Sequence, residues 1–118
     1  MDEATGLSPA RLSALSVVVF VGPITLGDLA AAEQVTAPTM TRLVAGLEAD
    51  GLVRRDRHPT DGRSVLIRAT PRGARTLQRG RERRVAALAG QLSILSRQEL
   101  DEVERAVDLV ERITAPGA

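Results

Sequence analysis

Between Thr36 and Arg42 the chain sets out small hydrogen-bonding groups at helical spacing. Met40, Leu43, Val44 and Leu47 follow the i, i+3, i+4, i+7 pattern of a buried stripe. The opposite face then shows Thr36, Ala37, Thr39, Thr41, Arg42 and Ala45. A threonine hydroxyl donates or accepts, its methyl can touch a thymine methyl, and Arg42 can reach a guanine edge or a phosphate. A second group of charges brackets a turn: Arg54, Arg55 and Arg57 before it, Asp61 and Arg63 in it, Arg68 after it. Arginine at the tip of a basic hairpin suits a narrow minor groove. Asp61, two residues before Arg63, is expected to pair with that guanidinium and fix its direction. An isolated amphipathic helix is usually scaffold and an isolated Asp-Gly-Arg tip usually a solvated turn, so the weight rests on the ordered combination.

Other chemistries find little support. There is no cysteine, hence no disulfide, thiolate nucleophile or cysteine metal site. The single histidine, His58, sits among turn formers with no second ligand at metal-binding spacing. No serine lies in a nucleophile-elbow pattern. The acids gather near the C-terminus beside arginine, where i, i+4 pairs such as Asp101–Arg105 and Asp108–Arg112 account for them. No catalytic residue, metal or cofactor is expected, and the chain reads as no enzyme.

Charge is unevenly spread along these 118 residues, although the net value is only +1. Residues 54–84 hold eleven arginines against three acids, whereas residues 97–112 hold three arginines against six acids. One segment suits a polyanion and the other does not. All sixteen basic residues are arginine, for which coding bias in a GC-rich genome is the leading explanation. No apolar run is long enough to span a membrane, and the acidic start lacks a signal peptide's apolar core. A cytoplasmic protein without membrane contact is expected.

The elements that must hold these groups follow from cap and turn chemistry. Ser8-Pro9 opens a helix to about Phe20, with a strand as the alternative over the β-branched run Val17 to Val21. Thr25 caps a helix over Leu26 to Glu33, and after a break at Gln34-Val35, Thr36 caps another that stops at Gly51. Strands are predicted over Leu52–Arg57 and Ser64–Ala69, joined by the turn at residues 58–62. Thr70-Pro71 starts a helix to about Leu95, with Ala74 and Leu77 inward and Val85, Leu88, Leu92 and Leu95 at heptad spacing. Ser96 and Glu99 form a capping box for a last helix bearing Leu100, Val103, Val107 and Val110. The tail from Thr114 is expected to fray.

The fold class is therefore mainly α with a small β-hairpin wing (α+β), a winged helix-turn-helix with C-terminal dimerisation helices. We read residues 1–118 as a single domain, with a DNA-binding part over 8–70 and dimerisation helices over 71–113. Two-fold pairing of the heptad sets would space two recognition helices by one DNA turn, roughly 34 Å. The alternative is that the two helices pack on each other within one chain.

The stretch from about Ser8 to Ile113 resembles the multiple antibiotic resistance regulator (MarR) family. The residues that carry the resemblance are ITLGDLAAAEQVTAPTMTRLVAGLEADGLVRR, then DRHPTDGRSVLIRATPRGA with Asp61 and Arg63 in the wing's Asp-x-Arg positions, then the heptad-like helix pair. The resemblance implies a homodimeric regulator, here expected to repress, on a palindromic duplex, with residues 36–42 in the major groove and Arg63 in the minor groove. It also implies a small-molecule effector, often an aromatic acid, that releases the DNA. This sequence departs from the family in having seven residues before Ser8 and a single aromatic residue. The competing reading is a winged-helix protein-interaction module without specific DNA binding.

Overall fold

The computed structural model describes residues 5–115. Their order is α1 (Pro9–Val21), β1 (Ile24–Thr25), α2 (Leu26–Glu33), α3 (Ala37–Ala49), β2 (Val53–Arg57), β3 (Val65–Ala69), α4 (Pro71–Leu92) and α5 (Arg97–Thr114). Each expected helix start is made by its expected cap. Ser8 accepts from the Arg11 amide at 3.2 Å, Thr25 from Asp28 at 3.1 Å and Thr36 from Thr39 at 3.3 Å. Both arms of the Ser96–Glu99 box are closed, at 2.9 and 3.1 Å. These bonds satisfy amides that the helix itself leaves without partners.

The chain divides into two compact units, with the break between Arg83 and Arg84. In the first, Leu15 and Val18 of α1, Leu29 of α2, Met40, Val44 and Leu47 of α3, and Val53 and Ile67 of the sheet are fully buried together. The run Val17 to Val21 is helical rather than extended: Val18 is buried in this core, Val17 and Val19 pack against it half-buried, and Phe20 and Val21 are exposed. The sheet has three strands rather than the two of a hairpin. β3 lies between β2 and the short β1, both antiparallel, with Ile24 opposite Ile67 and Arg54 opposite Arg68.

The entry to α4 sets the base of the wing. Thr70 donates its amide to the Leu52 carbonyl at 3.1 Å and its hydroxyl to the Gly51 carbonyl at 2.6 Å. The same hydroxyl accepts from the Gly73 amide at 3.0 Å. Gly51, at φ +74°, supplies the left-handed residue that turns the chain from α3 into β2. Gly73 faces the Leu52 carbonyl so closely that a methyl group there would overlap it. This contact fixes the phase of α4, so Gly73 and Leu77 are buried and Ala74, expected inward, is exposed.

The second unit holds the end of α4, a tight turn and α5. Helix α4 stops at Leu92, three residues before the expected limit, so Leu95 lies in the turn instead of on the helix. There Ser93 returns its hydroxyl to the Gly90 carbonyl at 2.6 Å and the Leu95 amide bonds Leu92. Within this unit the two helices share no extensive interface. Val85 and Leu88 are exposed, Leu92, Leu95 and Leu100 are half-buried, and Val103, Val107 and Val110 are exposed.

The Gly73 contact makes a direct stability test. Gly73→Ala is expected to destabilise the protein by about 2–3 kcal/mol in urea unfolding, the cost of forcing atoms into a packed site. Gly27→Ala in α2, where an added methyl meets nothing, is expected to gain about 0.5–1 kcal/mol. Equal effects at the two positions would contradict the close approach.

Candidate nucleic-acid interface

Helix α3 is amphipathic as its sequence pattern requires. Met40, Val44 and Leu47 are buried on one face, whereas Thr36, Ala37, Thr41, Arg42 and Ala45 are exposed on the other and Thr39 is half-buried. Its direction is set by a three-residue turn from α2. Gln34 adopts a left-handed conformation (φ 57°), its amide bonds the Ala31 carbonyl at 3.1 Å, and the Val35 amide bonds Ala30 at 3.0 Å. Val35 packs on the core and Thr36 begins α3.

The exposed face carries its own hydrogen-bond chain. The Thr36 hydroxyl donates to Thr39 Oγ1 at 2.9 Å, and Arg42 Nη2 reaches the same oxygen at 3.4 Å. Thr41 donates its hydroxyl back to the Ala37 carbonyl at 2.9 Å.

The wing tip is built by two side chains that accept from its backbone. His58 Nδ1 takes the amides of Thr60 (3.2 Å) and Asp61 (3.0 Å). Asp61 takes the Arg63 amide on Oδ1 at 3.1 Å and the Ser64 hydroxyl on Oδ2 at 2.8 Å. The expected Asp61–Arg63 ion pair is absent, because the carboxylate closes on the nearer backbone amide and on Ser64. Asp61 thus shapes the turn that presents Arg63 and leaves the guanidinium uncommitted. The Ser64 bond first, then the Arg63 amide, hold the Asp61 carboxyl below its ordinary range.

The flanks of the wing are partly neutralised. Asp56 accepts from Arg68 at 2.8 Å and lies 3.4 Å from Arg54, and these contacts, Arg68's bond foremost, lower its carboxyl pKa. Arg55 pairs with Glu48 of α3 at 3.2 Å, which ties the wing to that helix. Arg57 and Arg63 hold no ion pair among the described residues. Sequence reasoning missed Glu48, His58 and Ser64 as positioning groups; the Asp-x-x-Ser spacing at 61–64 is a turn-forming signal that points to the last. The described residues contain no cluster of metal-ligating side chains and no helix long and apolar enough to cross a membrane.

Comparison with known proteins bears on this arrangement. Residues 5–64 match the model of the MarR family. An uncharacterized HTH-type transcriptional regulator of Mycobacterium bovis is 40% identical over 109 residues, covering 92% of this chain and 76% of the relative. The chain belongs to the MarR family.

A MarR family protein from Bacillus stearothermophilus shares the architecture with a TM-score of 0.72 and 30% identity, over 91% of this chain and 74% of that one. A mutant of S. aureus MepR bound to an oligodeoxyribonucleotide has the same fold, with a TM-score of 0.73 and 22% identity over 92% and 79% of the two chains. The winged helix-turn-helix read from the sequence, and with it the assignment to transcription regulation, agree with these relatives.

The MarR wing yields a pH test with a fixed sign. Both lowered carboxyls stabilise the folded wing above the ordinary aspartate range, and that contribution is lost as pH falls through their folded values. In a carboxyl NMR titration, Ser64→Ala should raise the Asp61 midpoint and leave Asp56 in place, and Arg68→Ala should do the reverse. Movement of both midpoints in either variant would contradict the separate partners.

Proposed function

We propose that this MarR-family chain is a repressor that binds a palindromic duplex as a homodimer, with α3 in the major groove and the wing tip in the minor groove. The observation that carries the reading is the exposed face of α3 from Thr36 to Ala45, where the side chains are small or hydrogen-bonding apart from Arg42, while the acid Glu48 further along is paired with Arg55. A helix of that surface approaches base edges closely. The uncommitted Arg57 and Arg63 supply a second, sequence-blind or shape-reading contact. Arg54, Arg55 and Arg68 stand in half-exposed ion pairs with Asp56 and Glu48, which phosphates can reach and displace. The oligodeoxyribonucleotide-bound MepR mutant supports the choice of partner, since its fold is shared.

Homodimerisation is supported by the second unit. Helix α5 buries none of its residues within the chain, and Val103, Val107, Val110 and Ile113 lie exposed along it. An apolar stripe of this length marks an interface. Phe20, the sole aromatic side chain, is exposed, so neither unit alone holds an aromatic-lined pocket for the effector expected of the family.

Binding should be read by fluorescence anisotropy on duplex DNA over a salt series. For about 6–10 phosphate contacts, affinity is expected to fall about 10³–10⁵-fold between roughly 50 and 200 mM salt. Arg63→Ala should cost most on A·T-flanked sites, and Arg54→Ala should weaken all sequences alike. A flat salt response, or no duplex binding at low salt, would instead favour a protein-interaction module. Sedimentation should give a dimer for the parent and a monomer for Leu92→Glu combined with Val107→Glu. A parent that stays monomeric at high micromolar concentration would overturn the dimer.

A further inference from the structure

The three threonines on the exposed face of α3 are not equivalent once their hydrogens are counted. A hydroxyl has one proton to give and two lone pairs to accept with. Thr36 spends its proton on Thr39 and a lone pair on the Thr39 amide. Thr39 accepts from both Thr36 and Arg42, so its acceptor sites are filled and its own proton remains free. Thr41 is the opposite case. Its proton is committed to the Ala37 carbonyl one turn back, a bond that threonine makes readily in a helix.

In the major groove, guanine shows two acceptors and adenine one acceptor and one donor. Thymine shows one acceptor and the C5-methyl group. Any acceptor there needs a donor, which Thr41 does not have to give. What Thr41 offers outward is a methyl group and a spare lone pair, from an exposed position. Thr39 and Arg42, two and one residues from it in opposite directions, hold the free protons.

We propose that Thr41 reads a thymine in each half-site through methyl–methyl contact and not through its hydroxyl, while Thr39 and Arg42 supply the donors for an acceptor-rich neighbour. The inference rests on the reading that α3 lies in the major groove.

The test uses the whole chain and the duplex it selects from a random pool. Each thymine is replaced in turn by deoxyuridine, which removes only the C5-methyl. One position per half-site should lose about fourfold in affinity, the factor that one buried methyl group contributes. Thr41→Val, which exchanges the hydroxyl for a methyl, should keep both the affinity and the deoxyuridine effect within about twofold if the hydroxyl is idle. Thr41→Ala, which leaves no γ-methyl, should lose about fourfold on the thymine duplex and be blind to deoxyuridine at that one position. A parent indifferent to every replacement, or a Thr41→Val variant that loses more than about tenfold, the scale of a base-reading hydrogen bond, overturns the proposal. Failure of the parent to select or bind any duplex would instead overturn the groove-docking reading, and so is told apart.

Discussion

Where α4 begins, Gly73 rests against the Leu52 carbonyl with no space for a methyl group between them, and Thr70 bonds both Gly51 and Leu52 beside it. Leu52 leads directly into β2 and Thr70 directly follows β3. One small patch of backbone therefore closes the base of the wing, ends the turn after α3 and seats α4. Side-chain packing tolerates exchange among apolar residues of similar volume. A contact between a glycine and a carbonyl has no such latitude, so the surrounding elements take their positions from it.

The division of labour on α3 follows from burial. Met40, Val44 and Leu47 anchor the helix, each worth about 1.5–3 kcal/mol when removed from water. Thr36, Ala37, Thr41 and Arg42 contribute to none of that burial. Changing Ala37, Thr41 or Arg42 alters what the helix meets while leaving its support intact, whereas Thr36 also caps the helix. The wing is organised differently. Its tip has no core, and its shape depends on acceptors at His58 and Asp61 that gather backbone amides.

Local rules carried much of this fold and failed where distance entered. Helix starts at Ser8, Thr25, Thr36, Thr70 and Ser96 were legible because a cap and its amide lie within three residues of each other. The two residues of β1 were not, because their partners Ile67 and Leu66 stand more than forty positions away and so short a strand has no period to read. Ala74 looked inward by its apolar character, yet helix phase was decided by a backbone contact that no hydrophobicity pattern encodes. The heptad spacing ran past Leu92 to Leu95, while the chain had already turned at Ser93. At the wing, charge complementarity suggested Asp61 and Arg63 as a pair, and the carboxylate went instead to the amide of the same residue. In α3 the sequence identified which side chains face outward but not where their protons go.

The turn between α2 and α3 has an evolutionary consequence. Surface connections usually accept insertions and deletions with little penalty. Here Gln34 closes α2 in a left-handed conformation, Val35 plugs the core and Thr36 caps α3, so none of the three is spare. Because successive helical residues turn by about 100°, a single residue gained or lost would swing the outward face of α3 by more than a quarter of a turn. Drift at this joint is therefore confined to identity and closed to length, and the wing tip shares the second limit, because the bonds from His58 and Asp61 span Pro59 and Gly62, which are themselves exposed and free to vary in identity.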